Sequence, residues 1–332
     1  MKKSVVMIGC LILAGILLAG AQNSYAGRFL TVGIGQINCS FNPDLEKRTQ
    51  TNLARLTRWA HMIKKLRNPD MIVFPEVFVH GPDSRNFQKL AEPIPEGPST
   101  QALMNLAKKL KVWLIPGTLM EKGDDGKFYN TAIVISPEGK FVTKYRKILP
   151  ARPFESSDPG DQFVVFDIPE KGRIGLMVSF DIMYPEIART LAWMGAEVII
   201  KTACQSDMVG GTRARTPMDI VRAIENQCYI VDCNVSAPIG NGYSCIIDPE
   251  GRIIEKLGSS ESMTSAILDL DAVHRVREYG SFGGGFTLLK HWAYLSKVKN
   301  FPPYAKGIEN GEVFKTISKS FADNPSQLKH PE

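Results

Sequence analysis

The sequence predicts a layered α/β domain, and three observations carry that prediction. Short apolar runs rich in β-branched residues recur along the chain, stretches with apolar residues at helical spacing lie between them, and two near-identical Pro-Glu-Gly turns join apolar segments. The runs Phe29 to Gly35, Asp70 to Phe74, Lys111 to Pro116 and Thr131 to Ser136 read as buried strands. So do Phe163 to Asp167, Arg173 to Val178, Glu197 to Ala203 and Tyr229 to Asn234. After the first strand, Leu53, Leu56, Trp59, Ile63 and Leu66 share one face of a helix. Ile187, Leu191 and Met194 do so on a later helix that opens with Pro185 at a first-turn position, and Thr216-Pro217 opens another in the same way, running toward Asn226. The turns at Pro137-Glu138-Gly139 and Pro249-Glu250-Gly251 are hairpins, whose likeness suggests two related halves rather than a short-period repeat. Beyond about Leu270 the periodicity fades through Gly283-Gly284-Gly285, read as a mobile loop, into a polar tail.

Composition narrows the class. The chain has 332 residues, 44% hydrophobic and 22% charged, which excludes disordered, collagen-like and polytopic membrane proteins. Lys2 and Lys3, an apolar run from Val5 to Gly20 and then Ser24-Tyr25-Ala26 read as a secretory signal cleaved after Ala26, with an uncleaved membrane anchor as the alternative. The expected organisation is a signal peptide at 1–26, one domain at 27–270 and a C-terminal extension at 271–332. Localisation is then periplasmic or secreted, with no stable membrane anchor after cleavage. Loss of Lys2 and Lys3 takes the formal charge from +6 to +4, and the remaining charges are interleaved without basic runs, so nucleic-acid binding gains no support. Of six cysteines, five remain after cleavage: Cys39, Cys204, Cys228, Cys233 and Cys245. An odd number leaves at least one thiol free or paired between chains, and most read as buried apolar-like residues.

Three strand ends carry polar groups where ligands bind in open α/β sheets. Glu76 follows the second strand, Tyr145-Arg146-Lys147 follows the first hairpin, and Ser179-Phe180-Asp181 follows Ile174 to Val178. Singly, each reads as a cap or a solvated charge. As an ordered set they say more. Phe74-Pro75-Glu76-Val77-Phe78, Tyr129-Asn130-Thr131-Ala132, Lys144-Tyr145-Arg146-Lys147 and Gly175 to Asp181 with Tyr184-Pro185-Glu186 closely resemble the nitrilase superfamily of carbon-nitrogen hydrolases. Gln36, Arg222 to Asn226, Gly242-Tyr243-Ser244 and Asp248 to Gly251 extend the likeness over nearly all of the exported chain.

The resemblance implies a four-layer αββα sandwich in a single domain, a Glu-Lys-Cys triad and a homodimer or higher homo-oligomer. Residue by residue, Glu76 matches the general base, Lys147 the lysine that stabilises the oxyanion, and Glu155 the second glutamate that orients the site. The cysteine position falls on Ser179. A thiol suits a carboxylate base because its pKa is about 8.5, whereas a hydroxyl holds its proton far more tightly. A neutral Lys147 would serve as base in its place, but Glu76 and Glu155 favour the ammonium. Ser179 is then a working nucleophile, the mark of a protein that binds without turnover, or a substitution introduced to trap a bound substrate.

Catalytic candidates are therefore Glu76, Lys147 and Ser179, with Glu155, Phe180 and Cys204 supporting. Cys204 ends the next strand after Ser179 and reads as pocket wall, because an adjacent strand displaces its sulfur by about 4.8 Å. His80, shortly after Glu76, reads as a surface-loop residue, with a place in the pocket lining as the alternative. The five histidines, His61, His80, His274, His291 and His330, include no pair four apart, and no Cys-x-x-Cys occurs, so no metal site is expected and no cofactor is called for. The expected substrate is a small amide or related carbon-nitrogen compound, an amide before a nitrile. The rival expectation is a binding or regulatory protein on the same scaffold.

Overall fold

The structure is a computed structural model and describes residues 27–206 and 211–295, with backbone alone at 211–214 and 292–295. The proposed signal segment, His330 and the large apolar residues Phe301 and Tyr304 of the C-terminal extension lie outside the described residues.

Two sheets form the centre. The first contains β1 (Phe29–Gln36), β2 (Met71–Val73), β3 (Trp113–Ile115), β4 (Thr118–Lys122), β5 (Phe128–Ile135), β6 (Phe141–Arg146) and β13 (Ser262–Asp269). Its order is β13-β1-β2-β3-β5-β4, with β6 also paired to β5. The second contains β7 (Val165–Ile168), β8 (Gly172–Val178), β9 (Val198–Ala203), β10 (Tyr229–Asn234), β11 (Cys245–Ile247) and β12 (Ile253–Lys256), ordered β12-β11-β10-β9-β8-β7. Strands β1, β2 and β3 run parallel, as do β8, β9 and β10, and the flanking strands are antiparallel. One Pro-Glu-Gly hairpin joins β5 to β6 and the other β11 to β12, one in each sheet.

Period-two alternation sets the layers. Leu30, Val32 and Ile34 of β1 face Leu176, Val178, Ile200 and Val231 of the second sheet in a core between the sheets, which Leu270 and Val273 also fill. Opposite faces carry the helices. The helices α1 (Leu45–Arg67), α2 (Phe87–Leu90) and α3 (Pro98–Leu110) lie with the first sheet, and α4 (Pro185–Trp193) and α5 (Gly211–Asn226) with the second; α6 (Leu270–Tyr279) and α7 (Leu288–Leu295) close the chain. Leu56, Ile63, Leu103 and Leu106 cover Ile72 and Leu114 of the first sheet, while Ile187 and Leu191 cover Ile199 and Ile230 of the second. This is the αββα sandwich in one domain. Among the described residues, no helix is long and apolar enough to cross a membrane.

Local signals explain most boundaries. Asp44 caps α1 by accepting from the Lys47 N–H, Asn68 ends it in the left-handed region at φ 46°, and Pro185 occupies the first turn of α4. Three expectations need correction. Leu66 is 61% exposed, because at 100° per residue it stands about 80° from Leu56 around the helix. Met194 is the C-cap beyond α4 and is exposed. Pro217 lies inside α5, which begins six residues upstream of it at Gly211. Arg215 reaches from that upstream turn to Asn241 and to the Gly242 and Tyr243 carbonyls, so tertiary contacts override the proline signal.

The glycine-rich segment after α6 is a closed turn and not an open loop. Ser281 pairs with Phe286, and buried Gln227 donates to Ser281 Oγ and to the Phe286 carbonyl, both at 3.0 Å. The five described cysteines are free, four of them buried.

Candidate active site

Glu76 lies three residues beyond β2, and the corner that presents it is tightly built. Gly117, at φ +85°, lets the turn after β3 approach so closely that an added Cβ would stand 1.7 Å from the Pro75 carbonyl oxygen. Val77 then turns the chain at φ 47°, a left-handed conformation that β-branched residues avoid. Two hydrogen bonds hold it there: its N–H donates to Thr118 Oγ1 and its carbonyl accepts from the Gly81 N–H, each at 2.8 Å. Ser179 makes the matching corner in the other sheet. It follows β8 at φ 48° and opens a short 3-10 turn, Ser179–Met183. Strained backbone of this kind persists only where surrounding contacts impose it, and it concentrates at functional sites.

Both corners open on one cavity of about 250 Å³. Glu76, Asn130, Glu155, Ser179, Phe180, Cys204 and Gln205 line it, with Val77, Phe87, Met120 and Phe154 as apolar wall. Lys147, directly after β6, is fully buried behind that lining and joins the two glutamates. Its ammonium donates to Glu76 Oε1 at 2.9 Å and to Glu155 Oε1. Burial pulls the Lys147 pKa down, but Glu76 and Glu155, with Asp181 behind them, more than reverse this and hold it above the ordinary 10.5. Burial pushes the Glu155 carboxyl upward, against the pull of Lys147.

Glu76 has further partners that the sequence reading left without a role. Asn130 donates from Nδ2 to Oε1 at 2.8 Å, and the Cys204 backbone N–H donates to Oε2 at 2.8 Å. The useful part of Cys204 is thus its peptide nitrogen. Burial, and then Glu76, push its thiol well above the ordinary value, so the sulfur is protonated and poorly suited to attack. Asn130 was within reach of pattern reasoning, since it shares a strand face with inward-facing Ala132 and Val134.

Asp181 ties the two corners together. Its Oδ2 accepts from the Val178 N–H at 2.9 Å and from the Tyr145 hydroxyl at 2.7 Å, and its Oδ1 accepts from the Leu149 N–H at 3.0 Å. One carboxylate therefore bonds the residue before Ser179 and residues on both sides of Lys147. Burial pushes its pKa up to about 6.

His80 is buried and not a surface residue. Its Nδ1 takes the Met120 N–H at 3.1 Å, and its Nε2 faces Glu92 at 3.3 Å, which places it behind the cavity wall and outside the lining. Among the described residues one group, Asp219, Asp232 and Cys245, brings three metal-ligand atoms within 4.8 Å of one another. Lys201 and Arg215 already occupy it as cations, at 2.6 Å from Asp219 and 3.1 Å from Asp232.

Comparison with known proteins shows the family and the fold. A carbon-nitrogen hydrolase family model matches residues 31–278. Omega-amidase NIT2 of Xenopus tropicalis is 31% identical over 240 residues, covering 67% of this chain and 86% of that protein. Human omega-amidase NIT2 is 30% identical over 223 residues, covering 63% and 79%. Among solved structures, Saccharomyces cerevisiae Nit3, a member of branch 10 of the nitrilase superfamily, superposes with a TM-score of 0.67 at 27% identity, covering 76% of this chain and 94% of that one. An amidase from Nesterenkonia sp. shares the fold with a TM-score of 0.64 at 20% identity, over 75% of this chain and 93% of that one.

Proposed function

The chain belongs to the carbon-nitrogen hydrolase family, and from that premise we propose that it hydrolyses a small primary amide with Ser179 as nucleophile. The observation that supports this reading most is the shared cavity: Glu76, Glu155 and Ser179 line it, and Lys147 joins the two carboxylates. In the proposed reaction Ser179 Oγ bonds to the amide carbon as Glu76 takes its proton. The Lys147 ammonium stabilises the oxyanion. The carbon-nitrogen bond then breaks, ammonia leaves with the proton from Glu76, and water hydrolyses the acyl ester by the same route. Glu155 orients the lysine.

An amide is favoured over a nitrile because the curated relatives that this chain resembles at about 30% identity are omega-amidases.

A second reading, binding without turnover, draws on one observation. Lys147 is held as an ammonium, so Glu76 alone faces the weakly acidic hydroxyl of Ser179. Turnover measured beside Ser179→Cys and Ser179→Ala separates the two. We expect Ser179→Cys to raise amide hydrolysis about a hundredfold or more, on the order of 3 kcal/mol of barrier, and Ser179→Ala to abolish it. Ligand binding with no hydrolysis by the serine or the cysteine protein selects the binding reading. Activity lost on Cys204→Ala but kept on Ser179→Ala would move the nucleophile to Cys204.

Export and self-association belong to the same proposal. The basic and apolar order of residues 1–26 supports the first, to be checked by finding Gly27 at the mature amino terminus by mass spectrometry. Phe282 and Phe286, each more than half exposed, support a partner surface beside the C-terminal extension. Deletion from Phe282 onward, followed by light scattering, should then give monomer or aggregate.

A further inference from the structure

We propose that the cavity selects amides whose acyl chain is short, apolar and uncharged, and rejects amides that end in a carboxylate. This rests on the amide reading above and names the part of the substrate that reading leaves open.

The apolar part of the lining is Val77, Phe87, Met120 and Phe180, with Phe154. Phe87 and Met120 are 6% and 1% exposed, so a chain lying on them leaves water and finds no hydrogen-bonding partner there. Besides Glu76 and Glu155, the charged residue of the lining is Asp83. Its Oδ2 accepts from Arg48 Nη1 at 2.8 Å and from Asn86 Nδ2 at 2.9 Å, and burial of the carboxyl is outweighed by these partners, which hold it below the ordinary carboxylate range. Asp83 therefore stays an anion, paired and already satisfied.

Carboxylates line the cavity, and the nearby cations among the described residues stand behind or beside that lining. Lys147 is bound to Glu76 and Glu155, and Arg48 gives Nη1 to Asp83 and Nε to the Asn42 carbonyl. Glu76, Glu155 and Asp83 are thus three carboxylates in the lining, and among the described residues no cation joins them there. A substrate carboxylate would lose its water, find neutral Ser84 and Gln205 but no cation in the described lining, and meet Asp83. An ammonium end would find Asp83 already paired. A methyl end meets neither obstacle.

Butyramide and succinamate test this directly, because they differ at one end, methyl against carboxylate. Calorimetric titration of the full chain carrying Ser179→Ala reads binding without turnover. We expect butyramide to bind at least tenfold more tightly than succinamate. Asp83→Asn frees the charge of Arg48 and should narrow that ratio fivefold or more. Phe154→Lys, at a half-exposed position whose change does not endanger folding, should narrow it in the same direction. Equal or tighter binding of succinamate overturns the inference and leaves the amide reading standing. Binding of neither amide overturns the amide reading itself, and the inference falls with it.

Discussion

Glu76 and Lys147 stand 2.9 Å apart, oxygen to ammonium, with the lysine fully buried and the glutamate 3% exposed. A buried pair of this kind is costly to break, because removing one partner strands the other in a poorly solvating interior. Lys147→Met leaves Glu76 facing Glu155 without a counter-charge. Urea unfolding should show a loss of about 3–5 kcal/mol.

Glu76→Gln keeps the shape and one acceptor oxygen for Lys147 and Asn130, but it loses the acceptor at the Cys204 N–H and cannot take a proton. We expect the variant to fold, to retain ligand binding and to lose turnover about a hundredfold or more. Circular dichroism and steady-state kinetics on the same preparation check both halves. A folded variant with full activity would remove Glu76 from its role as base.

The titration of Lys147 sets the alkaline side. Its pKa lies above the ordinary 10.5, so the ammonium persists through neutral and mildly alkaline pH. The kcat/KM profile of the wild-type protein should therefore show no alkaline fall below about pH 10. An alkaline limb near pH 8 would mean that a neutral lysine competes with the form proposed to stabilise the oxyanion.

Asp181 makes stability depend on pH in the sense opposite to a paired surface carboxylate. Its folded value of about 6 lies above the ordinary 3.8, so between these two pH values the folded protein keeps a proton that the unfolded chain has lost. Its contribution to stability falls as pH rises through that window, by about 3 kcal/mol in all. Asp181→Asn removes this dependence. Denaturant unfolding at pH 4 and pH 7 should show the advantage of wild type over the variant shrinking by about that amount. A constant gap would contradict it.

Much of the fold was legible because its signals are local. Inward alternation in β1, Pro185 at the start of α4 and the paired Pro-Glu-Gly hairpins each depend on a few neighbouring residues. Where longer contacts act, pattern reading fails. Arg215 holds the turn upstream of Pro217 in a helix, and Gln227 closes the glycine-rich turn from 54 residues away.

The site divides in the same way. By itself the sequence determined that Glu76, Lys147 and Ser179 follow β2, β6 and β8, since ordered motifs and strand ends are properties of the chain. Only the tertiary structure decided what surrounds them. Asn130 and the Cys204 N–H reach Glu76 across separations of 54 and 128 residues, and Asp181 reaches Tyr145 across 36. Such partners depend on how two sheets are stacked and in what register, and no local period records that. The charge state of Lys147 likewise follows from two carboxylates converging on a buried amine, which exists only once the sheets have closed over it.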